Sequence, residues 1–133
     1  MIELNFDMTT RLLRANPAVT EDRGRVAFQR GPIVFCMEHL DQQEQHSGMN
    51  LAGYTVQPEG ETTAHFEPHL LDGVMVLTHP ATISTSAADT ALYFPASTPK
   101  GAERPTTVKL IPYYAWANRE AASMQVWIPY RDA

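Results

Sequence analysis

Punctuation is the feature that most constrains this chain. Ten prolines and seven glycines are scattered so evenly through 133 residues that no long stretch is free of a breaker. Proline removes a backbone donor and clashes with the preceding helical turn, so long helices are excluded. Between the breakers lie short runs of alternating apolar and polar residues, the period-two signature of half-buried strands. The clearest is the first, where Ile2, Leu4, Phe6 and Met8 alternate with Glu3, Asn5 and Asp7. A strand with no lead-in also points to a domain cut from a longer chain.

Further strands are expected over 10–14, 25–29, 32–37, 54–56, 63–66, 74–78, 91–94, 106–111 and 123–128. Turns are expected at 21–24 and 70–73, and 82–90 reads as a loop or weak strand. Residues 39–53, with Gln42, Gln43, Glu44, Gln45 and His46 in a row, read as a mobile loop. Nine or ten short strands with turn signals every 8–12 residues predict an all-β, antiparallel sandwich of jelly-roll or Greek-key type, forming one domain over 1–133.

Charge and cysteine usage exclude several functions. A net charge of −5 argues against nucleic-acid binding, and the densest basic stretch holds only Arg23, Arg25 and Arg30 among apolar residues. One cysteine, Cys36, rules out an internal disulfide and fits a reducing, cytoplasmic compartment. The sequence has no 18-residue apolar run and no signal-peptide pattern, so a soluble protein independent of membranes is expected.

Two segments are apolar beyond what an isolated sandwich needs. Ile33, Phe35 and Met37 occupy one face of their strand, while Val34 and Cys36 make the other face apolar too. Tyr113, Tyr114 and Trp116 follow in a segment too crowded for all three to point inward. A two-layer sandwich wets the outer face of each sheet. Two readings follow: a twisted core strand with a buried cysteine, or a docking surface built from Val34, Cys36, Tyr113, Tyr114 and Trp116. The aromatics, with Trp127, could alternatively stack on the apolar faces of sugar rings.

Chemistry-bearing patterns are sparse. His65 and His69 are four apart, but Pro68 stands inside the helical turn that would bring them together, so they read as loop or strand-end histidines. Cys36 lies near His39 yet sits in an apolar strand, where cysteine packs as a small hydrophobe. Glu38, Asp41 and Glu44 are close enough in sequence to suggest a carboxylate pair, but they flank a polar loop where solvated acids are expected. No phosphate-cradling glycine loop and no Gly-x-Ser-x-Gly elbow occur.

Residues 14–17 and 24–38, together with 110–119 and 124–129, resemble the C-terminal β-sandwich of glycoside hydrolase family 127, the β-L-arabinofuranosidase-like enzymes. The resemblance implies a modular parent with an (α/α)6 barrel followed by β-sandwiches. It also implies a cysteine nucleophile in a zinc site of three cysteines and a glutamate, with a second glutamate as acid/base, all on the barrel. Cys36 matches no such ligand motif. The resemblance therefore implies no catalytic, cofactor or metal residues here, with zinc belonging to the absent barrel. The expected function is a non-catalytic accessory domain, a C-terminal fragment of a larger hydrolase, supporting the barrel or a homo-oligomer. A carbohydrate-binding module using surface aromatics is the alternative.

Overall fold

The structure is a computed structural model that describes residues 1–42, 51–85, 92–99 and 101–131. Nine strands are seen among the described residues: β1 (Thr10–Leu13), β2 (Arg25–Arg30), β3 (Ile33–Glu38), β4 (Tyr54–Val56), β5 (Thr63–Glu67), β6 (Val74–Thr85), β7 (Ala102–Pro112), β8 (Met124–Gln125) and β9 (Ile128–Pro129). The helical pieces are three single turns, at Thr20–Asp22, His39–Asp41 and Tyr113–Ala115. None is long and apolar enough to cross a membrane.

The ladders are antiparallel and run β1-β2-β3-β7-β6-β4, with β5 beside β6, β8 beside β3 and β9 beside β2. β3 lies next to β7, while β7, β6 and β5 are successive antiparallel neighbours, the Greek-key arrangement. The sheet then curls on itself. β9 pairs with β2 through Val26 and Ile128, and Tyr130 makes a parallel bridge to Val56 at the far end of the order. The curled halves face each other as the two layers of an all-β sandwich.

Local chemistry explains the elements. β2 and β3 form a hairpin in which Arg30 faces Ile33 across Gly31-Pro32, and Gly31 takes the positive φ of 56° that a tight turn needs. β5 and β6 join through residues 68–73, where Leu71, Asp72 and Gly73 all have positive φ. β6 runs twelve residues straight through Pro80. The Pro80 carbonyl accepts from Gln57 N–H, so its donor-less nitrogen also faces that edge, where β5 has ended at Thr78 and β4 begins opposite Ala81. Proline is tolerated where a ladder is interrupted.

Two apolar clusters result. The main core joins Phe28, Phe35, Met37, Leu77, Ile83 and Leu110 with neighbours between the layers, all fully buried. Each such side chain contributes roughly 1.5–3 kcal/mol relative to exposure. A second cluster lies on the other side of β3: Cys36, Val74, Val76, Ile111 and Ala115, with Leu70, Leu71, Met124 and Val126 packed against it.

The structure corrects several expectations. Residues 2–8 are not a strand here; Ile2, Leu4 and Phe6 are exposed and pair with nothing in the sheet. Leu92, Tyr93 and Phe94 are likewise exposed and outside any strand, whereas Ala91 lies outside the described residues. Residues 82–85 extend β6, and 86–90 are outside the description. The expected loop at 39–53 begins as a turn that buries His39 and Gln42, while Gln43, Glu44, Gln45 and His46 lie outside the description.

Candidate docking surface

β7 carries its segment out of the core and stops at Pro112, where the chain enters the turn Tyr113–Ala115. Ala115 points inward and is buried in the second cluster, which fixes the turn and throws its neighbours outward. Tyr113, Tyr114 and Trp116 keep 47%, 68% and 38% of their surface exposed, a row of partly wetted aromatics. The Tyr113 and Trp116 rings pack tilted at 6.3 Å between centroids, within the range of aromatic pairing. Ala117 then adopts a φ of 62°, unusual for a residue with a Cβ, and the Asn118 side-chain amide donates to the Ala115 carbonyl at 3.0 Å.

Arg119 ends the segment as a clamp. Its two terminal nitrogens donate to both carboxylate oxygens of Asp41 at 2.8 Å, and one also reaches Glu38 Oε1 at 3.4 Å. The carboxylates are nearly inaccessible, with 3% and 1% of their side-chain surface exposed. The hydrogen bonds it donates to Asp41 hold the guanidinium more firmly protonated than usual. The ion pair therefore ties the aromatic segment to the turn after β3, across 78 residues of sequence. Gln42 reinforces the same joint: its amide nitrogen donates to the carbonyls of Glu38 and Lys109, and its oxygen accepts from Lys109 N–H.

Beside this segment lies an open cleft of about 640 Å³, bounded by Tyr114, Asn118 and Arg119 on one side and by His69, Leu71 and Asp72 on the other. It has an aromatic wall and several polar groups.

The five residues expected to share a surface do not stay together. Tyr113, Tyr114 and Trp116 are exposed on one segment, and Val34 is exposed at 37% on β3. Cys36 is fully buried: the Cys36 end of this strand face is covered by the domain's own second cluster. Burial, followed by the nearby carboxylates of Glu38 and Asp41, pushes the Cys36 thiol up to about 12, with Arg119 opposing weakly. Such a thiol stays protonated at neutral pH. His65 sits on a strand and pairs with Glu67 at 3.0 Å, while Lys109 reaches the same carboxylate. Among the described residues no three metal-binding side chains converge. Glu38 and Asp41 are bridged by a guanidinium and are not solvated acids.

The Arg119 clamp was not anticipated from the sequence, and its partners are too distant for any local pattern to show. Nor was His79, fully buried in mid-β6 between the Thr62 hydroxyl at 2.8 Å and the Gln57 carbonyl at 2.6 Å.

Residues 10–129 match the family described as glycoside hydrolase family 127 C-terminal domain. The chain is 39% identical over 128 residues to a non-reducing end β-L-arabinofuranosidase of Bifidobacterium longum subsp. longum, covering 95% of this chain and 19% of that protein. Its fold is similar to that of a GH127 β-L-arabinofuranosidase from Geobacillus stearothermophilus T6, with a TM-score of 0.79 at 35% identity over 93% of this chain and 18% of the other. A second GH127 β-arabinofuranosidase gives 0.75 at 32% identity, over 94% and 18%. The chain thus spans about a fifth of the length of the relatives it matches.

Proposed function

Because the chain belongs to the C-terminal domain family of glycoside hydrolase family 127, we propose that it is a non-catalytic accessory module of a β-L-arabinofuranosidase-type hydrolase. In this reading it supports the catalytic barrel or the oligomer. The observation that carries the reading is the match itself, confined to a fifth of an arabinofuranosidase. The chemistry of Cys36 agrees with it, since a buried thiol pushed up to about 12 cannot take the place of an activated nucleophile. In this reading the zinc site, its cysteine nucleophile and the acid/base glutamate belong to the barrel. Val34, Tyr113, Tyr114 and Trp116 are the side chains offered to a neighbouring module or a second copy.

The test is a graft. The matching fifth of the Bifidobacterium longum relative is deleted and then replaced by this chain. Deletion should lower thermal stability or disrupt assembly, and the graft should restore it with KM unchanged. A graft that leaves the deletion phenotype intact overturns the reading.

One observation favours a second reading, a carbohydrate-binding module: the exposed ring of Tyr114 walls a cleft with Asn118, Arg119, His69 and Asp72. Sugar sites pair an aromatic face with polar groups in this way. Tryptophan fluorescence titrated with arabinose-containing oligosaccharides separates the two. A saturable shift abolished by Trp116→Ala or Tyr114→Ala supports binding, and a flat titration removes it.

A further inference from the structure

Residues 2–8 carry the cleanest strand pattern in the chain, yet the domain gives them no place. Ile2, Leu4, Phe6 and Met8 fall on one face and Glu3, Asn5 and Asp7 on the other. In the structure the apolar face is bare: exposure is 90% at Ile2, 74% at Leu4, 59% at Phe6 and 37% at Met8. The segment meets the domain at its C-terminal end, where the Met8 Sδ and the Asp7 carbonyl lie over Gly31. An Asx turn follows, in which the Asp7 carboxylate accepts from Thr9 N–H at 3.0 Å, and it separates the segment from β1. Period-two amphipathicity is useful only where a ladder partner satisfies the backbone and a core covers one face. This domain supplies neither, and the family match starts at residue 10, beyond the segment.

We propose that residues 2–8 are a strand added to the open edge of a β-sheet outside this domain, in another module of the hydrolase. The inference rests on the reading of the chain as one module of a larger enzyme. The matched relative keeps more than four-fifths of its length outside the match, so a further module in the same polypeptide would meet the segment at high effective concentration. Seven extended residues span roughly 23 Å, an ordinary strand length. A second copy is a poor partner. Antiparallel pairing centred on Asn5 sets Glu3 opposite Asp7 at both ends, and parallel in-register pairing stacks each acid on itself. Like charges directly opposite destabilise a ladder. The segment then joins two modules covalently and through a shared sheet, with the Asx turn as the corner between them.

Hydrogen exchange read by mass spectrometry tests this on the chain alone and on the graft into the Bifidobacterium longum relative. In the chain alone, residues 1–9 should exchange at the unprotected rate at every concentration, while β3 and β7 are protected. In the graft, exchange of residues 1–9 should slow by about 100-fold. Phe6→Lys should abolish that protection, whereas Glu3→Ala should leave it; neither changes the stability of the isolated chain. A stable, active graft whose residues 1–9 stay unprotected overturns the strand and leaves the accessory function standing. Protection in the chain alone that disappears on dilution assigns the segment to a second copy and also overturns it. A graft that restores neither stability nor protection removes both.

Discussion

Replacing Arg119 with methionine should be among the most destabilising single changes outside the apolar core. The guanidinium makes two 2.8 Å bonds to Asp41 and one 3.4 Å contact to Glu38, and both carboxylates are almost wholly shielded from water. Methionine keeps much of the side-chain volume but strands two buried acids. Breaking a buried pair by removing one partner costs about 3–5 kcal/mol, far more than the pair itself contributes. Glu38 and Asp41 also lie at the second cluster, so water entering to solvate them disturbs Cys36 and Ala115. We expect a loss of ~3 kcal/mol. With a urea m-value of about 1.5 kcal/mol/M, the unfolding midpoint falls by roughly 2 M. Adding Asp41→Asn to Arg119→Met should recover part of the loss, giving a coupling of about 1–3 kcal/mol in the double-mutant cycle. A loss below about 1 kcal/mol would refute the reasoning, because it would place the clamp among solvent-screened surface pairs.

Three further outcomes follow from the interior. His79 is held neutral by burial, which lowers its pKa from 6.5, against a weaker opposing contribution from the Gln57 carbonyl. Its share of stability is therefore complete above pH 6.5 and is lost as pH falls below that value, since the unfolded chain binds the proton more readily; urea midpoints should decline from pH 8 to 5, and His79→Gln should flatten that slope, an unchanged slope counting against it. Cys36 should resist thiol reagents at pH 8 in the folded chain and react at once in denaturant; rapid labelling of the native protein would contradict its burial. Gly73→Ala should destabilise by about 1–2 kcal/mol, because φ is 100° there, a conformation a residue with a Cβ rarely adopts; a neutral effect in thermal melts would refute it.

What was legible in the sequence followed the physics of each signal. The sequence places β2, β3, β4 and β5 within a residue or two at each end because alternation and breakers coincide at their bounds. The sequence reading stops β6 at Thr78, short of Pro80, since a proline reads as a strand end. Pro80 survives because its missing donor faces the gap between β5 and β4. Residues 2–8 show the opposite error: alternation reports a demand for a partner and says nothing of which sheet meets it. The second face of β3 divides: Cys36 is buried in a cluster with Val74, Val76 and Ile111 of this domain, whereas Val34 stays exposed. The Arg119 clamp was illegible because pairing across 78 residues leaves no local trace.

The most direct test of the account is turnover by the isolated chain. At high protein concentration, with aryl β-L-arabinofuranosides and added zinc, hydrolysis should equal the buffer rate and should be the same for Cys36→Ser. Turnover that persists through repurification and disappears with Cys36→Ser would contradict the account, because it would place the nucleophile in a residue the fold keeps buried and protonated.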